Sequence, residues 1–80
     1  SAILERASAW DAVIQLNGHV IELDPHAEGF HRSLMRGLIA QGRKAEALDA
    51  FARCRALLRA GLQIEPSSET QRLYAQIRAT

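Results

Sequence analysis

The sequence predicts an all-α fold in which about four helices form an antiparallel array. Apolar residues recur three and four positions apart over most of the chain, which is the spacing of amphipathic helices. No segment alternates apolar and polar residues over the length of a strand. Two helix-sized patterns meet at Gln41, Gly42 and Arg43, between Pro25 and Pro66. One such helix pair cannot bury its own apolar face, so it is suited to packing against neighbouring helices.

The first helix is predicted from residue 2 to about residue 23. Its apolar residues lie on one face: Ile3, Ala7, Trp10, Ile14, Val20 and Ile21. Asn17 and Gly18 weaken the pattern, because a glycine inside a helix costs about 1 kcal/mol relative to alanine. A kink there, or two shorter helices, is compatible with the sequence. Asp24 and Pro25 then indicate the start of the second helix, with Asp24 as its N-cap and Pro25 as its first residue.

The second helix is predicted from residue 25 or 26 to residue 41, where Gly42 supplies the left-handed residue that ends it. The third is predicted from residue 43 to residue 60 and is expected to end at Gly61 in the same way. A fourth is predicted to begin at Ser67 or Ser68, and Ser68 with Gln71 has the form of a capping box. The residues expected to pack the helices together are Phe30, Leu34, Leu38, Ala47, Phe51, Cys54, Leu58 and Leu73.

Composition places the chain among soluble globular sequences. Apolar residues make up 48% of the 80 residues and charged residues 24%, and no apolar run approaches the roughly 18 residues that cross a membrane. Cys54 is the only cysteine, so no intrachain disulfide can form and the cytoplasm is the expected location. The spacing of Cys54 within the third helix makes it a core residue. We expect the chain to be a piece of a larger protein.

Charge is unevenly distributed although the formal net charge is only +1. Residues 1–28 carry one basic and five acidic side chains, whereas residues 29–59 carry seven basic and two acidic ones. A chain with this asymmetry favours association with acidic surfaces, its own N-terminal segment included.

The central helix pair resembles a tetratricopeptide repeat. The turn at Gly42 is followed by the small residue Ala47 and, one turn later, by Phe51. In that repeat a small residue lets the two helices approach closely and an aromatic residue fills the gap. Pro66 lies 41 residues after Pro25, where the repeat spaces this proline at about 34. The third helix is therefore expected to be about two turns longer than in the repeat.

This elongated pattern is similar to the bacterial transcriptional activator domain, a tetratricopeptide-like module found beside winged-helix DNA-binding domains in bacterial regulators. The resemblance covers about residues 20–75. It rests on Leu23, Asp24, Pro25, Glu28, His31, Arg32, Leu34, Met35, Gly42 and Arg43, and on Ile64, Glu65, Pro66 and Ser67 followed by Glu69 and Thr70. Gln63 departs from the family pattern, in which a glycine is expected, and this allows the corner before Pro66 to be built differently.

The resemblance implies a single tetratricopeptide-like domain over residues 1–80, the C-terminal part of a larger activator domain. Such a module is expected to serve protein contacts or self-association, with a homodimer as the simplest product. Its candidate contact residues are the apolar side chains that the fragment leaves uncovered: Trp10, Ile14, Phe30, Leu34 and Leu73.

No catalytic, cofactor or metal site is predicted, and we do not expect an enzyme. His26 and His31 lie five positions apart, off the spacing of one helix face, and no paired cysteine or carboxylate completes a ligand set with them or with His19. His31 is expected to make a local hydrogen bond. No glycine-rich phosphate loop or nucleophile elbow occurs, and the two serines before the fourth helix are interpreted as caps.

Four arginines are the candidate interaction residues. Arg32 and Arg36 lie four apart on the second helix, on the side that lines the concave groove of tetratricopeptide-like arrays, and could grip a carboxylate-bearing peptide. Arg55 and Arg59 form a similar pair on the third helix. The alternative interpretation of both pairs is a solvated face paired with nearby acids.

Three functions are thus compatible with the sequence. The first is a module for protein contacts or self-association in a bacterial regulator, and the second is a receptor for acidic peptides. The third is a helical spacer or sensor beside an ATPase or kinase. The isoelectric point of about 8.0 and the few aromatic residues argue against DNA binding by this chain, so any DNA contact is expected from a domain outside it.

Overall fold

Four α-helices follow one another in the computed structural model, which describes the backbone of residues 2–80 and the side chains of residues 9–80. They are α1 (Ala2–Leu23), α2 (Glu28–Ala40), α3 (Lys44–Leu62) and α4 (Ser68–Ala79). Helix α1 packs against α2, α2 against α3, and α4 against both α3 and α2. The predicted all-α, tetratricopeptide-like array of four helices is confirmed. No helix in the described part is long and apolar enough to cross a bilayer.

Helix α1 is uninterrupted over 22 residues, so the alternative of two shorter helices is wrong. Asn17 is buried and its side-chain amide donates to the Val13 carbonyl within the same helix at 2.9 Å. The helix therefore satisfies this polar group internally while it packs on α2. The side chains of Ile3 and Ala7, which belong to the predicted apolar face, lie outside the described residues.

A close crossing of α1 and α2 occurs at Gly37, which the sequence pattern did not single out. A Cβ atom at this buried position would lie 3.0 Å from Ile14 Cγ1 and 3.7 Å from Trp10 Cε3. The missing side chain lets α1 approach the backbone of α2. Gly37 is thus a packing residue.

Helix α2 begins later than predicted, at Glu28, and the expected start at residue 25 or 26 is wrong. Ala27 occupies the N-cap position without a side-chain hydrogen bond, and the Ala27 N–H donates to the Asp24 carbonyl at 3.2 Å. Pro25 instead lies in the preceding turn, where its carbonyl accepts from His31 Nε2 at 2.8 Å. This bond holds Pro25 outside the helix, and it confirms the local hydrogen bond expected for His31.

The C-terminal ends of α2 and α3 differ in whether a glycine supplies the left-handed residue. Gly42 has a φ of 73°, and the bonds from Arg43 N–H to Leu38 O (2.8 Å) and from Gly42 N–H to Ile39 O (2.9 Å) close α2 in a Schellman motif. That prediction is confirmed. The predicted end of α3 at Gly61 is wrong, because the left-handed residue is Gln63, with a φ of 58°.

Gly61 remains inside α3 for a different reason. A Cβ atom at Gly61 would overlap the imidazole of His26, so this glycine makes room for the turn before α2. With its end at Gln63, α3 has 19 residues against 13 in α2 and is the longer helix of the central pair.

The N-cap of α4 is Ser67, whose hydroxyl accepts from the Thr70 N–H at 3.4 Å. The predicted capping box of Ser68 with Gln71 is therefore wrong by one residue. Gln71 instead donates to the Pro66 carbonyl at 2.7 Å, because the side chain of residue 71 lies beside the buried proline and not beside a free N–H.

The core lies where α2, α3 and α4 meet, around the buried residues Met35, Leu38, Ala47, Ala50, Phe51 and Ile77. Leu34 and Leu73 pack against this cluster as partly buried residues, and Cys54 and Leu58 are also buried. The rings of Phe51 and Tyr74 stack with centroids 4.0 Å apart and join α3 to α4. Phe30 differs from its expected packing role and is 41% exposed, because the buried face of α2 is set by His31, Met35 and Leu38.

Candidate interaction surfaces

Helix α4 is held on α2 by a group of polar side chains that we call the α2–α4 latch: Glu28 and Arg32 from α2 with Ser67, Glu69 and Thr70. Glu28 Oε1 accepts from the Ser67 N–H at 2.8 Å. Arg32 Nη1 donates to Thr70 Oγ1 at 2.9 Å, and Arg32 Nη2 lies 3.6 Å from the Glu69 carboxylate. Thr70 is fully buried and the Arg32 side chain is only 17% exposed. The latch thus ties the first turn of α4 to α2.

The latch residues are among those on which the family resemblance rests. The two hydrogen-bonded pairs of the latch join residues that are 38 and 39 positions apart in the chain, and the fold brings them together. Their interactions are within the domain, so these residues maintain the fold and are not free to receive a ligand.

The structure separates the roles of Arg32 and Arg36. Arg32 donates into the latch, whereas Arg36 is exposed one turn further along α2. Arg36 lines a shallow groove of about 420 Å³ together with Glu69, Arg72 and Leu73. Arg32 is thus engaged within the fold, whereas Arg36 stays exposed at the groove that Glu69 also lines.

Arg55 and Arg59 are also engaged separately. The Arg55 guanidinium lies over the Phe51 ring, 5.9 Å from its centroid. Arg59 Nε donates to Glu65 Oε1 at 2.7 Å, in an ion pair whose side chains are both more than half exposed. This pair links the last turn of α3 to the corner before α4.

A groove runs between α1 and α3 with α2 as its floor, and we call it the α1–α3 groove. Its volume is about 620 Å³. Its larger apolar lining residues are Ile14, Ile21, Leu34 and Leu57, and its acidic and basic ones include Glu22 on α1 and Arg53 on α3. A second hollow of about 320 Å³ shares Ile14, Leu34 and Arg53 with it and extends towards Arg43. No sequence pattern indicated this groove, because it depends on how α1 and α3 sit on α2.

The second hollow is lined by an ion pair at the start of α3. Arg43 Nη2 and Glu46 Oε2 are 2.5 Å apart, with a second bond from Arg43 Nε at 3.0 Å. The hydrogen bond from Arg43 lowers the pKa of the Glu46 carboxyl and raises that of the guanidinium. Both groups are exposed, so the pair is a surface feature of modest energy.

Helix α1 exposes a second apolar stripe on the side away from α2. Leu16 and Leu23, seven residues apart, are 63% and 76% exposed, and Ala9 and Ala12 continue the same face. We call these four residues the α1 stripe. Trp10, which is predicted from the sequence to be uncovered, is 38% exposed, whereas Leu16 and Leu23 are not among the predicted contact residues. Ala9, Leu16 and Leu23 follow one another at intervals of seven residues, and this spacing is the sequence pattern that indicates a shared helix face.

The Cys54 thiol and the rings of His26 and His31 are buried, packed or hydrogen-bonded within the fold. Burial raises the pKa of the Cys54 thiol to about 11. The His26 ring packs on Gly61 and the His31 ring bonds to Pro25. Within the described residues no group of three or more histidine, cysteine or carboxylate side chains could hold a metal ion.

A family model described as the bacterial transcriptional activator domain matches residues 2–78 of the chain. The match spans all four helices and includes both halves of the α2–α4 latch. Searches of curated proteins and of solved structures returned no match.

Proposed function

Because the chain belongs to the bacterial transcriptional activator domain family, we propose that it serves its regulator as a non-catalytic module for self-association. The family establishes the coarser point, that this is a module of transcriptional regulators. The mode of action, contact between copies through an uncovered apolar face, is our proposal.

The observation that carries the proposal is a difference between the two ends of the array. At one end α4 is fixed by the latch, and its exposed residues are polar side chains and alanines. Helical arrays use such polar outer faces to cap their ends. At the other end α1 exposes Leu16 and Leu23. An uncapped apolar end favours addition of a further helical surface, since burial contributes about 25 cal/mol per Å² of apolar area.

The surroundings of the reactive side chains support a non-catalytic role. A thiol with a pKa of about 11 is almost entirely protonated at neutral pH. Ser67 is committed to the cap of α4, and His31 to the turn before α2. A DNA contact would belong to a domain outside this chain, and a regulator of this kind acts in the bacterial cytoplasm.

Neither alternative function has a comparable observation in its favour. A receptor for acidic peptides that uses Arg32 with Arg36 would require Arg32 to leave the latch and uncover the buried Thr70 hydroxyl. A spacer or sensor beside an ATPase or kinase requires no contact between copies, and so it predicts a monomer.

Sedimentation equilibrium of the chain between about 1 µM and 1 mM tests the proposal. We expect the mean mass to rise from monomer to dimer across this range. The variant with Leu16→Glu and Leu23→Glu should remain a monomer with unchanged helicity, because both side chains are exposed. A wild-type chain that stays monomeric at 1 mM would contradict self-association and favour the spacer.

A further inference from the structure

We infer that the groove between α2 and α4 binds an acidic segment of a partner protein, and that Arg36 and Arg72 receive its carboxylates. This groove, which we call the α2–α4 groove, is the shallow hollow of about 420 Å³ lined by Arg36, Glu69, Arg72, Leu73 and Gln76. Its lining belongs to α2 and α4 alone, so the site is separate from the α1 stripe and goes beyond self-association.

The two arginines of the groove come from different helices and have no acidic partner. Neither Arg36 nor Arg72 forms an ion pair within residues 9–80. Arg72 donates from Nε to the Ser68 carbonyl at 3.4 Å, a bond that leaves both of its terminal nitrogens to a ligand. A guanidinium with free N–H groups can hold a carboxylate through two parallel hydrogen bonds. The groove therefore offers two positive charges to an incoming anion.

The acidic residue that lines the groove, Glu69, is paired with the latch instead of with these arginines. Its carboxylate lies 3.6 Å from Arg32 Nη2, and Arg32 is held in place by its hydrogen bond to Thr70. No ion pair joins Glu69 to Arg36 or Arg72 in the part of the chain whose side chains are described. The α2–α4 latch thus supplies the charge that balances Glu69, and the charges of Arg36 and Arg72 remain unbalanced.

The α4 side of the groove is one continuous helix face. Glu69, Arg72 and Gln76 follow one another at intervals of three and four residues, and so they lie on the same face of α4. Leu73 is half-buried beside them and packs against the core. The Gln76 amide can donate to and accept from the backbone of an extended peptide. This combination fits a segment in which acidic residues flank an apolar one.

A peptide fits the groove better than a nucleic acid does. None of the residues that line it is aromatic, whereas single-stranded nucleic acids bind by stacking their bases on aromatic side chains. The exposed Glu69 carboxylate repels a continuous row of phosphates, but a peptide can place an apolar or neutral residue beside it.

Fluorescence anisotropy of labelled peptides at about 0.15 M salt tests the site. The probes are the acidic peptide GEELEEG and the matched neutral peptide GQQLQQG. We expect the neutral peptide to bind at least about tenfold more weakly, because only the acidic one supplies carboxylates. Arg36→Glu and Arg72→Glu should each weaken binding of the acidic peptide by about tenfold or more. Both side chains are exposed, so circular dichroism should show unchanged helicity.

The matched control is Arg53→Glu, which makes the same charge change at an exposed arginine of α3 that also forms no ion pair within residues 9–80. Arg53 does not line the α2–α4 groove, and salt screens charges that lie more than about 8 Å apart. This variant should therefore bind the acidic peptide within about twofold of wild type. Equal weakening by Arg53→Glu would show a general attraction between opposite charges and overturn the assignment to the groove.

Reversal of both charges gives a reciprocal test. The double variant with Arg36→Glu and Arg72→Glu should bind the basic peptide GKKLKKG, which the wild-type chain should not bind. It should also self-associate like wild type, since neither residue lies on α1, so the peptide site and the proposed function are tested separately. The inference is overturned if wild type does not bind the acidic peptide at up to about 1 mM, or if a single-stranded oligothymidylate binds more tightly and displaces it.

Discussion

Substitution of Arg32 by alanine should destabilise the fold far more than substitution of Arg36, although the two arginines lie one turn apart on the same helix. Arg32 Nη1 donates to the buried Thr70 hydroxyl at 2.9 Å, and a hydrogen bond from a charged group contributes about 1.5–3 kcal/mol. The contact to Glu69 is longer, 3.6 Å, and that carboxylate is 64% exposed, so it adds about 0–1 kcal/mol. Thr70 keeps a contact to Ser67 Oγ at 3.3 Å, which limits the loss.

We therefore expect Arg32→Ala to lower the free energy of unfolding by about 2–3 kcal/mol. For a domain of this size the thermal midpoint should fall by about 10–20 °C. Arg36 is exposed, so Arg36→Ala should change stability by less than about 0.5 kcal/mol.

Urea and thermal unfolding followed by circular dichroism at 222 nm measure both effects. A double-mutant cycle with Thr70→Val isolates the contact, for which we expect a coupling of at least about 1 kcal/mol. The reasoning is refuted if the two arginine variants lose equal stability, or if the cycle shows no coupling.

Three further predictions concern the end of α3 and its buried thiol. Gln63→Gly should raise the free energy of unfolding by about 1 kcal/mol, because Gln63 holds a left-handed φ of 58°; a Gln63→Ala control should show no gain in urea unfolding. Gly61→Ala should destabilise the chain despite the better helix propensity of alanine, since its Cβ overlaps the His26 ring, and the added change His26→Ala should restore the midpoint. Cys54 should react with a disulfide reagent at pH 8 only as fast as the chain unfolds, because the side chain is fully buried and burial also raises the pKa of its thiol to about 11. Burial raises this pKa above that of the unfolded thiol, so stability should be fully present below about pH 9 and be lost as the pH rises towards 11. Rapid labelling of the native chain at pH 8 would contradict the burial.

Local signals were sufficient for the helices but not for all of their ends. The apolar spacing predicted the four helices, and Gly42 marked the end of α2 because its positive φ is a local requirement. Gly61 was misread because its role is tertiary: it makes room for His26, which lies 35 residues earlier in the chain. Gln63 carries the left-handed conformation without the residue type that normally signals it.

The contacts of the candidate site were harder to predict from local sequence signals than the ends of the helices. The residues of the α2–α4 latch were identified in the sequence as parts of a family pattern, but nothing local indicated that Arg32 donates to Thr70. Arg32 and Arg36 have the same residue type on the same helix, and only the position of α4 distinguishes them. The α1–α3 groove likewise depends on the packing of two helices on a third, so periodicity alone could not predict it.

The most direct test of self-association through α1 is a dilution series of the ¹⁵N-labelled chain followed by two-dimensional amide NMR. Self-association through α1 predicts that chemical shifts change with concentration around Leu16 and Leu23, while the exposed face of α4 stays constant. Shifts that do not depend on concentration, or changes concentrated on α4, would contradict it.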